Sequence, residues 1–184
     1  CFNYSIMALT LNGSNNTIGG LAVGGLPDGI VDTDMLAANA VTAAKRGAGA
    51  ILQYVEAPQS VMTSRFSTTS TSYTATGYKV DITPIKSNSR IIVLASFSCA
   101  VSNNGYHFFR CAEDGTVSDM YEAGQGVEGW FQTYCKYIFT PGDTNAHEYK
   151  IYTKTSANTL LIGWSNDGGS TRNWNSMCAM EVAG

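Results

Sequence analysis

An all-β fold with a C-terminal β-sandwich of the jelly-roll kind is predicted for this chain, and three observations predict it. Beyond residue 50, apolar and polar residues alternate over run after run, the period of a strand with one buried face. The pairs Asn104-Gly105 and Asp114-Gly115 fall between such runs, and both are strong two-residue hairpin signals. Charged residues make up only 14% of the chain, against roughly 25% in a typical soluble domain. Gly, Ser, Thr and Asn are abundant instead, as a fold with many turns requires.

Three zones follow along the chain. Residues 1–28 form an extended N-terminal segment in which small apolar residues alternate with Gly and Asn. Leu9, Leu11, Ile18, Leu21 and Val23 are its apolar positions, and such a ribbon suits strand addition to another protein. Met7 reads as a natural start, which makes residues 1–6 an upstream addition; the alternative is that Cys1 is a lipid-bearing terminus. No basic segment followed by a long apolar core precedes Gly13, so no secretory signal is expected.

Residues 29–49 hold two copies of a short unit. Gly29-Ile30-Val31-Asp32-Thr33-Asp34-Met35 is echoed by Asn39-Ala40-Val41-Thr42-Ala43-Ala44-Lys45. Each copy reads as a turn, an apolar pair, a capping Thr or Asp and a single helical turn, too little to bury surface alone. Two copies fall short of a self-supporting stack, so the missing partners are expected from identical chains. Ile30, Val31, Met35, Leu36 and Val41 would line this collar, and a homotrimeric stalk is the simplest arrangement.

Residues 50–184 carry the sandwich. Strands are expected at 51–55, 78–82, 90–102, 106–112, 116–121, 131–139, around 149–153, 160–164 and 177–182. Their turns fall at Ser87-Asn88-Ser89, Pro141-Gly142-Asp143, Ala157-Asn158 and Asp167-Gly168-Gly169. That gives about nine or ten short strands at close spacing, for which a jelly roll is the commonest solution. Ile91, Val93, Ala95, Phe97, Cys99 and Val101 share one face, as do Phe131, Thr133, Cys135, Tyr137 and Phe139. Cys99, Cys111 and Cys135 lie on such apolar faces and read as buried free thiols; Cys1 and Cys178 complete the five, with no CxxC pair and no zinc spacing.

Several classes are disfavoured. A net charge of −3 offers no basic footprint for nucleic acid. The longest apolar run, Ile91 to Ala95, is far short of the roughly 20 residues that cross a bilayer, so no membrane insertion is expected.

The stretches NGSNNTIGGLAVGGLPDGIVDTDMLAANAVTAAK, FSTTSTSYTATGYKVDITPIKSNSRIIVLASFS and MCAMEVAG resemble small fibre proteins of tailed bacteriophages. The resemblance covers most of residues 7–184 and is densest at 12–45 and 66–98. It implies a homotrimer in the virion, made in the host cytoplasm. The N-terminus would dock on a tail or capsid protein, and a jelly-roll knob similar to C1q and tumour necrosis factor heads would meet host polysaccharide. In C1q-like heads broad aromatic surfaces face the three-fold axis, for which this chain offers Tyr134, Tyr137, Phe139 and Tyr152. Two departures are a very short shaft and the six leading residues. Alternatives are a capsid decoration fibre without a strong receptor role, and a secreted C1q-like or lectin-like module.

The chemistry of the residues favours binding over catalysis. No GxSxG, HExxH, phosphate-binding glycine loop or metal-spaced cluster occurs, so no cofactor and no metal is expected. His107 and His147 lie within strand-like runs and read as partnered or surface-facing structural residues. Glu113, Asp114, Asp119, Glu122 and Glu128 suit a solvated acidic loop, with a calcium site as the alternative reading. Sugars are held by stacking on Trp or Tyr with polar side chains on the hydroxyls. Trp174, Trp130, Arg172, Asn173, Asp167, Tyr121 and Tyr106 could form such a rim; the alternative for Trp130 is a plug of the sandwich or of the subunit interface, and for Trp174 a structural role, whereas Trp164 on its alternating strand reads as core.

Overall fold

Strand alternation in this sequence produces two facing antiparallel sheets in the computed structural model. Residues 10–12, 17–19, 41–42, 45–101, 105–117, 123–126, 129–163 and 175–184 are described. The chain divides into two compact units, Cys1–Thr42 and Ala43–Gly184. In the first, β1 (Thr10–Asn12) pairs antiparallel with β2 (Thr17–Gly19), with Leu11 opposite Ile18. Leu9, Leu21 and Val23 of the expected anchor, and Ile30, Val31, Met35 and Leu36 of the expected collar, lie outside the described residues; Val41 is exposed.

The second unit is a sandwich. Its strands are β3 (Ile51–Glu56), β4 (Phe66–Thr68), β5 (Thr74–Ile82), β6 (Arg90–Val101), β7 (Tyr106–Glu113), β8 (Thr116–Val117), β9 (Ala123–Gly126), β10 (Gly129–Phe139), β11 (His147–Thr155), β12 (Leu160–Ile162) and β13 (Ser176–Val182). A one-turn helix α1 (Gln59–Met62) follows β3. In the first sheet β6 pairs with β10 along one side and with β13 and β12 along the other; β3 and β4 lie beyond these. In the second sheet β11 joins β5 to β7, whose far side carries β8 and β9. The orders β3-β13-β6-β10 and β5-β11-β7-β9, with successive strands crossing between sheets, are a jelly-roll topology.

The core is what the alternation predicts. Ile91, Val93, Ala95, Phe97, Cys99 and Val101 of β6 are all buried, as are Thr133, Cys135, Tyr137 and Phe139 of β10. Phe97 packs against Tyr78 and Phe109, and Phe139 against Tyr149 with ring centroids 4.8 Å apart. Burial raises the thiols of Cys99, to about 12, and of Cys135, to about 11, so both stay protonated and inert. Trp164, expected in the core, lies outside the described residues.

Side chains fix the connections. At the β7–β8 turn Asp114 and Gly115 have φ of 48° and 82°, the paired left-handed conformations of a type I′ hairpin. Just before β7, a Cβ on Gly105 would stand 2.7 Å from the carbonyl oxygen of Ala157, so only glycine allows this approach. The fully buried Glu181 accepts from the backbone N–H groups of Ile85 (2.9 Å) and Lys86 (3.0 Å) and from Gln53 Nε2 (2.7 Å). It thereby ties β13 to the loop between β5 and β6. Asn175 does the same work at the other end of β13, accepting from the Ser98 N–H at 2.9 Å and donating to the Met62 carbonyl at 3.2 Å.

Candidate interaction surfaces

The residues of β6 and β10 that point away from the core make up the outer face of the first sheet. Cross-strand register sets them in rows. One row runs Ile138, Ile92, Met180, Tyr54; the next runs Lys136, Leu94, Cys178, Glu56; a third runs Tyr134, Ser96, Ser176. The face is therefore apolar at its centre, and Tyr134 (76%), Tyr54 (56%), Ile138 (40%) and Leu94 (38%) remain exposed. Tyr134 and the Tyr54–Glu56 lip flank a groove of about 560 Å³ over Leu94, Ser96 and Cys178. Among the described residues β10 pairs on one side only, leaving an edge of 11 residues.

The second sheet presents a different outer face. Tyr106, Phe108 and Arg110 of β7 lie beside Tyr152 and Lys154 of β11, with Tyr152 opposite Arg110 and Lys154 opposite Phe108. Tyr73, just before β5, lies against the guanidinium of Arg110 at 4.5 Å and the ammonium of Lys154 at 4.7 Å. Lys79 and Lys150, further along, both reach Glu148.

A polar cluster closes one end of the sandwich. His147 Nδ1 meets Asp114 Oδ2 at 2.7 Å and Nε2 meets Asp143 Oδ1 at 2.9 Å. Burial disfavours charge on His147, but the Asp143 and Asp114 carboxylates outweigh it and raise the pKa above the usual value. Glu113 accepts from the Tyr149 hydroxyl at 2.7 Å. Glu113 and Asp114 are thus tied into the fold, which departs from a purely solvated acidic loop; Asp119, Glu122 and Glu128 lie outside the described residues. Among the described residues no group of three or more His, Cys, Asp and Glu is placed to hold a metal. His107 is fully buried beside Phe131 and not surface-facing, and burial lowers its pKa against the opposing effect of the Gly105 backbone.

Of the expected sugar rim, Trp130 and Tyr106 are described, and both are exposed. They do not converge. His107 and Phe131 face each other in the interior with centroids 6.3 Å apart, so the preceding residue of each strand, Tyr106 and Trp130, points out of opposite sheets. Trp174, Arg172, Asn173, Asp167 and Tyr121 lie outside the described residues. Of the aromatics expected to face a three-fold axis, Tyr134 is exposed; Tyr137 and Phe139 are buried, because they share the inward parity of Cys135 and fill the sandwich. The sequence reading does not single out Tyr54, Leu94 or Ile138 as surface features, although the parity of Ile138 against Tyr137 and Phe139 signals it.

No protein-family model and no curated protein matches the sequence. Among solved structures, a chain of infectious bursal disease virus Gx strain is similar over 64% of this chain and 34% of its own, with 6% identity and a TM-score of 0.32. A chain of the Gt strain gives 71%, 37%, 8% and 0.31. Dimeric latent PorU from Porphyromonas gingivalis gives 74%, 14%, 8% and 0.32. The chain thus spans little more than a third of the viral chains. No helix among the described residues is long and apolar enough to cross a membrane.

Proposed function

We propose that the chain is a homotrimeric fibre of a bacteriophage virion, held to a tail or capsid protein by its N-terminal segment and binding host surface polysaccharide with its sandwich, without catalysis. The observation that carries this reading is the outer face of the first sheet. Tyr54, Leu94, Tyr134 and Ile138 stand in water beside a long edge strand that, among the described residues, pairs on one side only. In a monomer such a face and edge invite uncontrolled association. Contact between copies covers them, as the resemblance to C1q-like heads implies.

Light scattering on the purified full chain tests assembly: three times 19.6 kDa is expected, and a monomer overturns the trimer. Fluorescently labelled chain should stain host cells and lose them when surface polysaccharide is stripped enzymatically. Equal staining of stripped cells removes the glycan from the proposal.

A further inference from the structure

We infer that copies of the chain meet head to tail across the outer face of the first sheet, with Lys136 of one copy against Glu56 of the next; this deepens the trimer reading and rests on it. In the row Lys136, Leu94, Cys178, Glu56 the cation stands on β10, at one margin of the face, and the anion on β3, at the other. They are the only charged side chains in the three rows of this face, and both are exposed. Within these rows of one copy, each meets an opposite charge only across the whole face, about 14 Å at the ordinary spacing of strands.

A closed ring of copies joins two different patches, so the margins of the face must complement each other rather than themselves. With a rotation axis running along the strands, the rows stay level from copy to copy, and the β10 margin of one copy meets the β3 margin of the next. Lys136 then faces Glu56, and one row away Ile138 faces Tyr54, an aliphatic side chain against a ring. Ile138 and Tyr54 are 40% and 56% exposed in the single chain, so this contact covers apolar surface at both margins. The Tyr54 hydroxyl donates to Glu56 Oε1 at 3.0 Å, which presents ring and carboxylate on β3 as one unit. Contact between like margins at the same level sets ammonium against ammonium, or carboxylate against carboxylate, and charge repulsion opposes it. Charge and apolar surface thus both favour the same direction of assembly, and Leu94 and Cys178, in the middle of the row, fall between the joined margins.

Disulfide trapping in the full chain tests this. In a background of Cys1→Ser and Cys178→Ser, Lys136→Cys combined with Glu56→Cys should give a covalent trimer on a non-reducing gel after mild oxidation with copper phenanthroline. A disulfide needs Cα atoms within about 7 Å, so the two positions cannot bridge inside one copy, and neither substitution alone should give a trimer. Charge exchange is the second readout. Lys136→Glu and Glu56→Lys should each raise the concentration at which the trimer dissociates by about tenfold, and the two together should return it to within about threefold of the unaltered chain. A chain that is trimeric by light scattering yet gives no covalent trimer overturns the head-to-tail contact and leaves the trimer standing. Single exchanges that weaken the trimer and are not rescued by their combination overturn the pairing of these two residues. A chain that is monomeric before any substitution removes both the trimer and this contact.

Discussion

Nδ1 of His147 lies 2.7 Å from Oδ2 of Asp114, the residue that opens the type I′ turn between β7 and β8, while Nε2 binds Asp143 on the loop before β11. One imidazolium thus clamps two connections. The His147 pKa lies above 6.5, so its contribution is whole below that value and is lost as pH rises through the folded-state pKa. Asp143, held low first by the Asn145 N–H and then by His147, contributes above 3.8 and loses that as pH falls through its own depressed value. Melting temperature should therefore plateau between the two and fall by about 3 °C above neutrality. His147→Gln should flatten the alkaline slope; an identical slope in the variant removes the clamp as its source.

Much of this arrangement is legible in the sequence. Strict alternation in β6 and β10 fixes which side chains are inside, and Asp114-Gly115 fixes a turn, because both depend on local geometry alone. The Asp114–His147 contact spans 33 positions and follows from strand order, which alternation does not encode. The same limit explains Trp130 and Tyr106: only the pairing of β10 with β6 and of β7 with β11 puts them on opposite sheets, which the sequence pattern does not reveal. Parity alone marks Tyr137 and Phe139 as core, against the axial role that the resemblance to C1q-like heads implies for them.

Glu181 should be among the most sensitive positions for stability. Burial pushes its carboxyl up, but the nearby Ser89 hydroxyl, the Ile85 and Lys86 N–H groups and Gln53 bring it net below the ordinary value. Its contribution is accordingly present above pH 4.5 and is lost as pH falls through the folded-state pKa. Glu181→Ala leaves two backbone donors without their acceptor and should cost about 3 kcal/mol in urea unfolding. A loss below about 0.5 kcal/mol would mean that the β5–β6 loop finds other partners.

Thiol reactivity should separate the core from the first sheet's outer face. Cys99, Cys111 and Cys135 are buried, and burial raises their thiols, so iodoacetamide should leave all three unmodified in the native state. Cys178 lies on the outer face between Leu94 and Glu56 and is only partly covered within one chain. If copies meet through this face, Cys178 is protected at high protein concentration and becomes labelled on dilution. Labelling at a rate independent of concentration places the contact elsewhere.

Tyr134 gives the most direct test of assembly, because it is the most exposed aromatic of that face and contributes nothing to the core. Tyr134→Lys introduces a charge that an isolated sandwich tolerates in water, so the monomer's urea midpoint should change little. In a trimer the same change places three ammonium groups near one axis, each losing water without a partner. The expected outcome is a shift from three chains to one in light scattering at micromolar concentration, with far-UV circular dichroism unchanged. Since the collar units at 29–49 would still supply some association, Tyr134→Lys with Ile138→Lys should complete the dissociation where the single change does not. A double variant that remains trimeric assigns assembly to the N-terminal unit and leaves the exposed face for another protein.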